Sequence, residues 1–105
     1  MGKGVAEVGK WLKTIDNQCV RIDKICRIFV NSSQNIICTL EGGDVVTVFY
    51  CPLFAHRNKY INYERYVDEC LSRIFNAIVE GQSNIVDTKS IVSSVVVDDY
   101  YERCN

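Results

Sequence analysis

In 105 residues there is one histidine, one proline and one tryptophan. A single imidazole, His56, rules out the paired-histidine motifs of zinc enzymes, and no two cysteines stand in a C-x2-C spacing, so no structural zinc signature is present. No metal and no cofactor is expected. No apolar run approaches the length of about 20 residues that a spanning helix needs. Residues 1–17, "MGKGVAEVGKWLKTIDN", lack the unbroken apolar core of a signal peptide, and Ala6 stands where an N-myristoylation motif asks for Ser or Thr. The expectation is a cytoplasmic protein with no membrane role.

What is present is an ordinary globular composition, 48% hydrophobic and 24% charged, with enough β-branched residues to argue against a disordered chain. The length fits one domain with one core. Six cysteines, Cys19, Cys26, Cys38, Cys51, Cys70 and Cys104, sit mostly in apolar runs, where a free thiol behaves as a small hydrophobe. The formal net charge is -1, so no global field attracts nucleic acid or anionic lipid. The charge is nevertheless uneven: residues 1–60 carry eight Lys and Arg against five acids, and residues 61–105 carry four against eight. Opposed faces of this kind favour contacts between subunits.

Residues 1–10 read as a loosely attached arm or a short helix, residues 11–97 as one α+β domain, and residues 98–105 as an acidic tail. Strands are expected over Trp11–Ile15 and Cys19–Ile22, separated by the turn "DNQ". In "KICRIFVN" alternation puts Ile25, Arg27 and Phe29 on one face and Cys26, Ile28 and Val30 on the other. The polar turn "NSSQN" leads into "IICTL", and "EGGD" joins that strand to "VVTVFYC". Two glycines free to take positive φ between two β-rich runs predict an antiparallel hairpin. The strands before residue 51 therefore form a meander of about four.

Tyr63, Tyr66, Val67, Cys70, Leu71, Ile74, Ile78 and Val79 recur at spacings of three and four, which predicts an amphipathic helix lying on the sheet. Asn62 is placed to cap its start and Gly81 to close its end in a left-handed conformation. After "NIVD", the β-branched run Ile91–Val97 predicts a final strand at a sheet edge or against a second subunit. Exposed apolar residues there, Ile91, Val92, Val95, Val97 and Tyr100, would form the interface of a homodimer.

The stretch "CPLFAHRNKY", Cys51–Tyr60, gathers the other candidates. His56, Arg57 and Lys59 precede a helix start, whose free amides favour an anion. Cys51 and His56 are the one thiol and imidazole close enough in sequence to act together, though no orienting acid lies nearby. Lys10, Lys13, Arg21, Lys24, Arg27, Arg57 and Lys59 would make a basic meander face for nucleic acid. The pattern points first to an interaction or accessory module without catalysis, self-associating or bound to a protein partner. A nucleic-acid-associated regulator comes second, and a Cys51–His56 enzyme third.

Overall fold

The computed structural model describes residues 10–50, 62–96 and 100. Five strands come first: β1 Trp11–Lys13, β2 Cys19–Arg21, β3 Ile25–Val30, β4 Ile36–Leu40 and β5 Val45–Phe49. A 3-10 turn, Ile22–Lys24, joins β2 to β3. The long helix α1, Tyr63–Glu80, is followed by β6, Ile85–Asp87, and a short helix α2, Thr88–Ser93. The expected α+β class is present, with its meander, its packing helix and a C-terminal strand.

The strands divide between two sheets, β2-β1-β6 and β3-β4-β5. Thus the meander proper has three strands, and the first two belong elsewhere. In the smaller sheet β1 pairs antiparallel with β2 and parallel with β6. The register aligns Val20, Leu12 and Val86 in one row, all buried, while the next row, Arg21, Trp11 and Ile85, faces out and is exposed. Side chains alternate across a strand, so a three-residue strand offers one central residue to the core. Here that residue is apolar on all three strands.

The second sheet is built by two tight turns. Asn31 accepts the Ser33 and Asn35 amides on its side-chain oxygen, and Gln34 takes a φ of 63°. Gly42 and Gly43 take φ of 93° and 96°, which a side chain would strain, and the Leu40 amide closes the hairpin on Asp44 at 2.8 Å. The Ile15 amide donates to the Val48 carbonyl at 2.8 Å, linking the two sheets.

Helix α1 covers both. Its Tyr66, Val67, Cys70 and Ile74 enter one core with Leu12, Ile36, Cys38, Val48, Phe49 and Val86. Burying each such aliphatic side chain contributes roughly 1.5–3 kcal/mol. Asn62 does cap the helix, accepting the Arg65 amide at 3.2 Å. Gly81 closes it, but in an extended conformation, φ -68° and ψ 151°, rather than a left-handed one. Its missing side chain still matters, because a Cβ there would run into the Ala77 carbonyl.

Over residues 91–96, the described part of the stretch Ile91–Val97, the expected strand is replaced. The C-terminal strand is Ile85–Asp87, within the preceding "NIVD", and residues 91–93 lie in α2. Local polar bonds explain this: Asp87 accepts the Lys89 amide and the Ser90 hydroxyl, and the Ser93 hydroxyl donates to the Lys89 carbonyl. Thr88, Ile91, Val92 and Val95 then fall at helical spacing, with Thr88, Val92 and Val95 buried. Tertiary burial of that stripe outweighs the strand preference of its β-branched residues.

Candidate functional site

β3 is an edge strand, since among the described residues its one strand partner is β4. In an antiparallel pair, hydrogen-bonded and non-bonded residue pairs alternate, so the outward-facing backbone groups can be counted from a known bond. The turn bond from Asn31 to Asn35 at 2.9 Å fixes the phase. Phe29 with Ile37 and Arg27 with Thr39 are then bonded pairs, and Ile28 and Val30 direct their N–H and C=O away from β4. The second hairpin agrees, because its Leu40–Asp44 bond turns Cys38 toward β5 and so leaves Ile37 and Thr39 for β3.

Beside this edge runs a groove of about 280 Å³. Ile22, Ile25, Cys26, Arg27 and Ile28 line one side, and Phe75 and Ile78 of α1 line the other. Consecutive strand residues point to opposite faces, so a groove touching 25 through 28 follows the strand edge. The register shift between Ile25 and Arg27 is a β-bulge at its upper end. On its outer surface the helix also carries two apolar side chains four residues apart, Phe75 and Val79, of which Phe75 lines the groove. Phe75 is 51% exposed and Val79 59%. The sequence periodicity places Val79 with the core face and leaves Phe75 out, whereas in the folded chain both are exposed.

The charges near the groove are distributed unequally. Arg21 pairs with Asp23 at 2.8 Å, and Lys24 with Glu41 at 3.6 Å. Arg27 instead lies over the Phe29 ring, 4.6 Å from its centroid, and has no carboxylate within ion-pair distance among the described residues. Lys10 faces the end of α1, donating from Nζ to the carbonyls of Gly81 and Ile78. Of the residues expected to form one basic meander face, the described Lys10, Lys13, Arg21, Lys24 and Arg27 are divided among the smaller sheet and its entry, the 3-10 turn and β3, and Lys10, Arg21 and Lys24 are already engaged.

Among the other expected site residues, Val92 and Val95 pack inside the chain's own core, and Ile91 and Tyr100 pack partly against it. Tyr100 stacks edge-on to Tyr66 and accepts the Asn62 amide on its carbonyl at 2.7 Å. Much of the apolar character that suggested an interface at 91–97 is thus used internally. Val97, Cys51, His56, Arg57 and Lys59 lie outside the described residues.

Four cysteines are described, all free: Cys19 and Cys26 are exposed, Cys38 and Cys70 buried. Burial pushes the Cys70 thiol up to about 11, against weaker opposing effects from a Tyr66 hydrogen bond and from Arg73. Cys38 is raised by burial as well. A raised thiol is a poor nucleophile, so these two act as core residues. Among the described residues no three His, Cys, Asp or Glu side chains gather as a metal site, and no helix is long and apolar enough to cross a membrane. No protein-family model, no curated protein and no solved structure matches this chain.

Proposed function

We propose that this chain is an interaction module, which works by presenting a surface to another polypeptide and not by chemistry of its own. One observation carries the reading: a strand edge with two sets of outward backbone groups lies beside a groove walled by Ile78 and a half-exposed Phe75. Open edges template further strand pairing, and apolar surface next to one supplies the burial that such pairing needs. Native-state hydrogen exchange tests the edge without a partner in hand. In dilute monomer the Ile28 and Val30 amides should exchange fast, and those of Arg27 and Phe29, bonded to β4, slowly. Equal protection of all four would mean that the chain covers its own edge, and the reading would end there.

A homodimer is the second form of this reading, moved from residues 91–97 to a different face. Trp11 and Ile85 are cross-strand neighbours on the outward side of the smaller sheet, 36% and 53% exposed, with Arg21 beside them. Burial of an aromatic against an aliphatic residue is the usual core of a small isologous contact. Sedimentation velocity across a concentration series should then show a dimer that Ile85→Lys abolishes. A wild-type monomer at every concentration removes self-association.

A further inference from the structure

We infer that the β3 groove takes an extended peptide segment of aliphatic and acidic residues in alternation, added as a fourth strand to the β3-β4-β5 sheet. The inference rests on the interaction reading above and names the chemistry of the partner.

The backbone geometry comes first. Ile28 and Val30 turn their amides and carbonyls outward, two residues apart, which is the spacing an incoming strand meets. At about 3.3 Å per residue the six residues of β3 offer an edge roughly 20 Å long. The groove, of about 280 Å³, lies at the low end of the size of ligand pockets and stands open to solvent along one side. A strand needs less enclosure, because its main-chain bonds to the edge provide the affinity and only alternate side chains seek pockets.

The two faces of the sheet then set the side chains. Ile28 and Val30 pack toward the core, on the side where Phe75 and Ile78 form the groove wall. Side chains that an added strand points to that face meet a mostly apolar wall that includes Phe75 and Ile78. On the opposite face stands Arg27, exposed, its guanidinium stacked on Phe29 and without an acidic partner among the described residues. The adjacent cross-strand position on that face is where a carboxylate gains a charge-assisted bond. Alternation in the partner thus mirrors alternation in β3: aliphatic inward, acidic outward.

Charge also decides against a second copy. Two β3 edges brought together would add a second Arg27 and a second bulge to the same contact, the devices by which edge strands resist pairing with themselves. An acidic strand turns the same arginine into an attraction.

The test uses the full chain and two end-blocked heptapeptides, Val-Glu-Val-Thr-Val-Glu-Val and the same sequence with Lys for each Glu, followed by amide NMR titration and hydrogen exchange. The Glu peptide should bind about tenfold tighter at low salt, slow the exchange of Ile28 and Val30, and lose most of its advantage against Arg27→Gln. Phe75→Ser should weaken both peptides. Equal affinity for the two peptides overturns the inference while the module reading stands, provided Ile28 and Val30 are open in the free protein. Binding that leaves their exchange unchanged, or an edge freed only on diluting a dimer, overturns it too. Ile28 and Val30 protected in dilute monomer would end both readings.

Discussion

Lys10, at the entry to β1, donates through its ammonium to the carbonyl of Gly81, the residue that ends α1 and lies 71 positions further on. The same side chain reaches the Ile78 carbonyl at 3.4 Å, and the Lys10 carbonyl accepts the Ile22 amide at 3.0 Å. One residue thereby joins the helix end, the smaller sheet and the 3-10 turn. A cation at a helix C-terminus also meets the negative end of the dipole, and α1 has no basic residue in its own last turn. Lys10→Met should cost about 1.5–3 kcal/mol in urea unfolding, the range of a charge-assisted bond. A loss under about 0.5 kcal/mol would show that water replaces the contact.

Leu12 and its neighbour Trp11 should respond in opposite ways to truncation. Leu12 is wholly buried between Val20 and Val86, so Leu12→Ala should destabilise by about 2–5 kcal/mol. Trp11 points outward, and Trp11→Ala should cost markedly less in a monomer, checked by the shift in unfolding midpoint. If the two variants lose similar stability, the register of the smaller sheet is wrong, because a one-residue slip exchanges the faces.

Thr88 holds a hydroxyl that is buried and has no hydrogen-bond partner among the described residues. An unsatisfied buried hydroxyl costs roughly 1–3 kcal/mol, and valine has nearly the same shape without that demand. Thr88→Val should therefore raise stability by about 1 kcal/mol in thermal unfolding. A fall would indicate that an ordered water satisfies the group.

The cysteines separate by reactivity. In native protein, iodoacetamide labelling followed by peptide mass analysis should modify Cys19 and Cys26 before Cys38 and Cys70. The Cys70 shift also fixes a pH dependence. Its folded value, about 11, lies above the ordinary 9.0, so the unfolded chain releases this proton first as pH rises. Its contribution is intact below about 9 and is lost as pH climbs through about 11. Cys70→Ala should flatten that part of the stability profile while lowering stability at neutral pH.

Local chemistry made much of the fold legible in the sequence. Two glycines at positive φ fixed one hairpin, Asn62 fixed the start of α1, and its three-and-four spacing fixed the face that enters the core. These features act over a few residues, so a linear reading can find them. The Ile91–Val97 stretch defeated the same reading because two periodicities coexist there. Its β-branched residues favour a strand, while Thr88, Val92 and Val95 also define a helical stripe, and only the presence of a core to receive that stripe decides between them. The division into two sheets has the same origin: β1 chooses β6 as its second partner, more than seventy residues away in sequence, through the alignment of Leu12 with Val86.

For the candidate site, the sequence supplied Arg27 and the alternation of β3, and it placed Val79 on the helix. It did not show that β3 would be an edge, that Phe75 would stand beside it, or that Arg27 would lack an acid when Arg21 and Lys24 each found one. Turns, caps and the long helix follow from interactions between residues close along the chain, and the sequence determined them. Which strand lies outermost, and which apolar side chains are left uncovered, depends on contacts between distant segments competing for one small core, and the tertiary structure alone decided that.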